Sequence, residues 1–160
     1  MTRLANDAYQ TPVGCVKALL PFVDFSRDPD FVEPCKGKGN IFNHIPCEHK
    51  YYCELSEGSN YFERKFMHVD LIITNPPFSK ALEFLQKSLA EADTVIYLLR
   101  LNFLASQKRK AFWNANRPTH IFVLSNRPSF TGNGTDQTEY AWFCWDRGNR
   151  IKTNEWLTVL

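Results

Sequence analysis

The chain has 160 residues, 44% hydrophobic and 22% charged, with a net charge of +2. That length fits one domain with a sizeable core, and the balance is that of a soluble globular protein. No apolar run approaches the roughly 20 residues that span a bilayer, and residues 1–9 lack the apolar core of a signal peptide, so a cytosolic protein without a membrane partner is expected.

The first helix is predicted from Thr11-Pro12, with Thr11 as cap and Pro12 in the first turn. Val13, Val16, Leu19 and Leu20 recur at helical spacing, and Pro21 closes the run. Phe31-Val32 reads as a short strand. Glu33-Pro34-Cys35-Lys36-Gly37-Lys38-Gly39 follows it and leads to a short helix. The two glycines let backbone approach a ligand closely, although ordinary turns use Gly-x-Gly too. Tyr51-Tyr52-Cys53 reads as a second strand. It ends at Glu54, where a carboxylate is placed to accept hydrogen bonds from ribose hydroxyls. The span 55–67 is too short for a full helix and a full strand, so one of them is expected to be shortened.

Leu71-Ile72-Ile73-Thr74 reads as a buried strand, and Asn75-Pro76-Pro77-Phe78 stops it. Neither proline has an N–H for the ladder, and Pro76 biases Asn75 toward an extended backbone. An amide and an aromatic ring are thereby held at a strand end, where open α/β sheets bind ligands. Ser79 is the expected cap of a helix whose apolar face is Ala81, Leu82, Leu85, Leu89 and Ala92. Residues 94–101 form a nearly continuous apolar strand, as a central parallel position demands. Residues 106–114 read as a basic helix, 120–124 as a strand, 127–137 as a long polar loop and 140–145 as the last strand. The tail, 146–160, is expected to add a hairpin or a short edge strand. Strands alternate with helices until the final pair, which predicts a largely parallel α/β sheet with an antiparallel hairpin at one edge.

No Asp or Glu lies between Asp93 and Asp136, an interval carrying Arg100, Lys108, Arg109, Lys110, Arg117 and Arg127. Such a stretch is a candidate phosphate-contacting surface, or a solvated helix face with its loops. Aromatic residues make up 14% of the chain, most of them expected in the core. The five cysteines are odd in number and scattered, as free thiols in a reducing compartment would be. Cys35, His44, Cys47, His49 and Cys53 lack the close Cys pair of structural zinc sites, so no metal is expected.

With these pieces placed, residues 7–145 resemble a class I S-adenosylmethionine-dependent N6-adenine DNA methyltransferase, of the compact type that phages and prophages encode. The resemblance rests on Asn75-Pro76-Pro77-Phe78 as the catalytic tetrapeptide, Glu33 to Gly39 as the cofactor loop, Glu54, and Thr11-Pro12. It implies a Rossmann-like fold and S-adenosylmethionine as cofactor. It also implies cofactor contacts from Thr11, Pro12, Glu33, Pro34, Cys35, Lys36, Gly37, Gly39 and Glu54. Asn60 stands where relatives have an Asp that meets the cofactor's adenine. Arg127-Pro128-Ser129-Phe130 falls where a loop covers the target base. Arg100, Lys108, Arg109, Lys110, Arg127 and Phe130 are then the candidate nucleic-acid contacts, with DNA the expected partner and RNA possible. Cys35 and Lys36 depart from the small or acidic residues usual in that loop. The third strand is expected to be short, and no separate target-recognition domain fits, so residues 1–160 read as a single methyltransferase domain. RNA and protein-glutamine methyltransferases share the tetrapeptide, and a non-catalytic binding module on the same fold is the remaining alternative.

Overall fold

The computed structural model describes residues 10–130 and 137–160. The expected start of the first segment before residue 10 and residues 131–136 of the polar loop lie outside the described residues.

Seven strands form one sheet: β1 (Phe31–Glu33), β2 (Lys50–Tyr52), β3 (Val69–Thr74), β4 (Ala92–Arg100), β5 (His120–Val123), β6 (Tyr140–Asp146) and β7 (Leu157–Val159). Their spatial order is β2-β1-β3-β4-β6-β5-β7. β1 pairs in parallel with β2 and β3, and β3 with β4. β6 runs antiparallel to both β4 and β5, and β7 lies parallel to β5. The sheet is the expected mixed, mostly parallel α/β type. The hairpin is not at the edge, however. All but the last residue of β6 is buried, which suits an interior position, and β7 covers the outer side of β5.

The buried strands explain the continuous apolar runs. In β4, Ile96 and Leu98 point to one face, and Val95, Tyr97 and Leu99 to the other. The first face packs on helix α1 (Val13–Leu19) through Val16 and Leu19. The second packs on α2 (Ala81–Glu91) through Phe84 and Leu85, and on α3 (Lys110–Ala115) through Phe112 and Trp113. Among the described residues no helix is long and apolar enough to cross a membrane.

Several boundaries differ from expectation. Pro12 keeps an extended backbone (ψ 136°), so it and not Thr11 is the cap of α1. A 3-10 turn, Phe78–Lys80, follows Pro77, which moves the cap of α2 from Ser79 to Lys80. The basic helix is shorter than 106–114, because a 3-10 turn, Gln107–Arg109, replaces its first part. There the Arg109 guanidinium reaches back to the Phe103 carbonyl at 2.8 Å.

Between β2 and β3 the described residues hold no strand, only the 3-10 turn Leu55–Glu57 and a bridge from Glu54 to Ser59. The expected short third strand is absent. Tyr61 packs in its stead: its ring stacks on Phe84 at 5.5 Å. Its hydroxyl donates to Glu91 at 2.9 Å and meets the Ser88 hydroxyl at 3.0 Å. Ser88 in turn lies 2.7 Å from the Tyr97 hydroxyl. This buried polar chain ties the replacement segment to α2 and the centre of the sheet.

Candidate active site

Strand direction decides which residues share an edge. Because β1, β2, β3 and β4 are parallel, Glu33, Glu54, Asn75 and Arg100 emerge at the same edge. The chain steps from β1 to β2 on one side and reaches β3 on the other, so the sheet's switch point lies between β1 and β3. A crevice outside the strand ends at such a point is where open α/β sheets take ligands. The glycine loop leaves β1 on one side of it, and Asn75-Pro76-Pro77-Phe78 leaves β3 on the other.

The glycine loop is held from three directions. Gly37 and Gly39 have φ of +54° and +83°, a region open to glycine. A side chain at Gly37 would also meet the Gln10 amide at 2.7 Å. Gln10 Oε1 accepts from the Lys38 N–H at 2.8 Å, and Asn40 Nδ2 donates to the Thr11 carbonyl at 2.8 Å. Glu54 accepts from the Gly37 N–H at 2.7 Å with one carboxylate oxygen. Its other oxygen accepts from the Ser56 N–H at 3.1 Å and the Ser56 hydroxyl at 2.6 Å. Partial burial raises the Glu54 pKa, but these bonds from Ser56 and Gly37, with Lys36 nearby, outweigh it and hold the carboxyl below its ordinary value.

Glu33 behaves in the opposite way. It is 1% exposed, and its Oε2 has no hydrogen-bond partner among the described residues. Burial pushes its pKa well up, against smaller opposing pulls from the Phe42 backbone and Lys36. A buried carboxyl with an open oxygen at the mouth of a glycine loop is an acceptor waiting for a donor. Cys35 beside it is also driven up, by burial first and then by Glu33 and Glu54.

Other predicted residues have local employment. The Lys36 ammonium lies 2.7 Å from Glu57 and 3.7 Å from the Tyr52 ring centre, so it spans the loop's outer side. Asn60 donates to Glu63 at 2.9 Å and accepts from the Phe62 N–H at 3.1 Å, engaging both ends of its amide within one turn. Cys35, His44, Cys47, His49 and Cys53 form no group that could hold an ion among the described residues. Asp28, Glu48 and His49 do approach one another, all exposed.

On the β3 side the structure gathers an aromatic cluster. The Phe78 ring lies 5.8 Å from Tyr140, and Tyr140 lies 4.9 Å from Phe130. The Arg100 guanidinium sits 4.5 Å from the Phe78 ring centre, and its Nε donates to the Tyr140 hydroxyl at 3.0 Å. Arg100 and Tyr140 are paired across β4 and β6, so register fixes this arrangement.

The six cations of the acid-free interval therefore divide. Arg100 is stacked in the cluster, Arg109 is bonded to the Phe103 carbonyl and stacked on that ring at 4.4 Å, and Arg127 is paired with Glu139. Lys108, Lys110 and Arg117 are exposed and remain for an external anion. Sequence reasoning missed Gln10, Asn40 and Tyr140. Gln10 and Asn40 flank the motifs they brace, and that proximity was the available signal.

Comparison with solved structures finds chains of the same fold. A proposed class I S-adenosylmethionine-dependent methyltransferase of Listeria monocytogenes aligns with a TM-score of 0.65 at 13% identity, over 96% of this chain and 66% of that one. The fold is that of the class I methyltransferases. A proposed RNA methyltransferase of Pyrococcus horikoshii aligns with a TM-score of 0.65 at 16% identity, over 89% of this chain and 87% of that one. The modification subunit of a proposed type I restriction enzyme of Vibrio vulnificus gives 0.58 at 15% identity, over 88% of this chain. The chain spans only 44% of that subunit's length. No family model matches the sequence, and no curated protein does.

Proposed function

We propose that this protein transfers a methyl group from S-adenosylmethionine to the exocyclic N6 amine of adenine in DNA. The observation that carries the reading is the position of Asn75-Pro76-Pro77-Phe78, across the switch point from the glycine loop. The fold likeness supports methyl transfer. It includes both an RNA and a restriction-modification relative, so it does not choose the nucleic acid.

The residues at the crevice fit the cofactor. Gly37 and Gly39 give the loop its left-handed turns, and Glu33 offers the unmatched buried acceptor that an ammonium group would satisfy. Thr11, Pro12, Pro34 and Cys35 would then flank the methionine end of the cofactor. Glu54 already accepts three hydrogen bonds, which leaves about one of a carboxylate's four acceptor directions for a ribose hydroxyl. When bound, S-adenosylmethionine supplies a methyl group on a positively charged sulfur.

The protein's task is to make a poor nucleophile competent. An adenine amine delocalises its lone pair into the ring. Asn75 Oδ1 and the Pro76 carbonyl accept its two hydrogens, drawing the nitrogen toward a tetrahedral shape and freeing the lone pair. This is orientation and electrostatic stabilisation. Phe78 supplies the surface for a base turned out of its stack. Labelled methyl transfer to DNA, RNA and protein, run side by side, tests the reading. N6-methyladenine in DNA is expected. Label in RNA alone moves the substrate to RNA, and label in none removes the activity.

A further inference from the structure

We infer that an open groove beside α3 binds the single strand of nucleic acid that flanks the target base; this rests on the nucleic-acid substrate proposed above. The groove encloses about 770 Å³, and its walls include Leu104, Gln107, Lys110, Trp113, Arg117 and Trp156. One wall is α3 and the turns around it, and the other is Ile121 of β5 with Trp156 just before β7.

Three observations converge on a polynucleotide strand. First, none of the lining residues is acidic, and Lys110 and Arg117 line it with exposed charges. Glu155, next to Trp156, is not among them. Cations without local acids suit phosphates. Second, the Trp156 side chain is 59% exposed, against 4% for Trp145 and 0% for Trp142 in the core. An exposed indole lining the same groove as Lys110 and Arg117 is a stacking platform for a base. Third, the groove's lining begins just downstream of the candidate site along the chain. Leu104 closes the 3-10 turn that directly follows Arg100, the residue stacked on Phe78. A strand leaving the aromatic cluster would meet Gln107 and Lys110, then Arg117 and Trp156.

The rival occupant is a second copy of this chain. β7 is an edge strand with Leu157 and Val159 exposed, so it could pair with itself. The cations favour the polyanion, because a second β7 would bring no excess of acids to face them.

The test measures fluorescence anisotropy of labelled single strands of about 16 nucleotides, DNA and RNA, over about 50 to 200 mM salt. The cofactor is left out. Trp156→Ala is expected to weaken binding roughly 5- to 150-fold. The double variant Lys110→Gln, Arg117→Gln is expected to flatten the salt slope by about 1.4, two phosphates at about 0.7 each. Lys17→Gln, on the α1 face, is expected to change neither. Circular dichroism checks that each variant is folded. The strand that binds tighter, DNA or RNA, identifies the chemistry of the flank. If the parent protein binds strands but the variants bind equally well, the groove is refuted and the proposed substrate stands. If the parent binds neither strand, the groove proposal falls, and the labelled-transfer assay alone decides the substrate. A parent dimer that Trp156→Ala makes monomeric, with strand binding unchanged, overturns the groove in favour of self-pairing.

Discussion

Replacing Glu54 with alanine is expected to loosen the glycine loop before any ligand is added. The substitution removes three hydrogen bonds at once, from the Gly37 N–H and from the Ser56 N–H and hydroxyl. The Ser56 bonds form the cap of the 3-10 turn Leu55–Glu57, and a lost cap costs about 1 kcal/mol. A charged acceptor bonded to a backbone N–H adds about 1.5–3 kcal/mol. Glu54 is partly exposed, so solvent screening favours the lower half of that range, and the sum with the cap is about 2.5–3.3 kcal/mol. In a chain of this size that lowers the melting temperature by roughly 5–13 °C, measurable by calorimetry. Acidity supplies an internal check. The folded pKa lies below the ordinary 4.5, so this stabilisation is present above about pH 4.5 and is lost as pH falls through the folded value. The gap in urea midpoint between parent and variant should therefore shrink at low pH. Glu57→Ala, which loses the exposed pair with Lys36 and an exposed hydrogen bond from Tyr52, should shift melting less. A Glu54→Ala protein that melts within about 1 °C of the parent would refute the bracing role.

Asn75→Ala should lower the rate of methyl transfer by at least about 10²–10³-fold while calorimetry shows cofactor affinity nearly unchanged; retained activity would remove Asn75 from the mechanism. Ser88→Ala should cost about 1–3 kcal/mol in urea unfolding, because it takes the Ser88 partner from the buried Tyr97 hydroxyl, while Tyr61 keeps its bond to Glu91; an unchanged midpoint would show that the chain is not stabilising. Burial pushes the Cys15 and Cys47 thiols up to about 11, and Cys35, Cys53 and Cys144 upward too. Alkylation near pH 8 should thus be slow in the native protein and rapid for all five in denaturant; rapid native labelling would contradict the burial.

The strands at the centre were legible because burial on both faces leaves an unbroken apolar run. β3 was sharpest, since Asn75-Pro76-Pro77 ends it with residues that cannot continue a ladder. The missing third strand was half legible: the short span between Glu54 and Asp70 showed the lack of room, but not that Tyr61 would plug the gap by stacking on Phe84. The place of β6 was not legible. Neighbours in sequence are usually neighbours in space, which is why β5 and β6 read as an edge hairpin. Only pairing with β4, some 40 residues earlier, puts β6 inside. The internal partners of the basic interval were not legible for a related reason. Arg109 bonds a backbone carbonyl and Arg127 pairs with Glu139, partners that a count of charges does not reveal.

The position of β4 has a consequence for how the chain is made. It has three strands on each side, and the partner on one of them, β6, is synthesised about 40 residues later. As the chain emerges from a ribosome, β1 to β4 and α2 can assemble first. Until Tyr140–Asp146 appears, however, the longest strand keeps one bare apolar edge. The nascent protein therefore passes through a stage in which its future centre is its most adhesive border. Protection by a chaperone, or a fast passage through residues 101–139, would govern how much of it survives to fold.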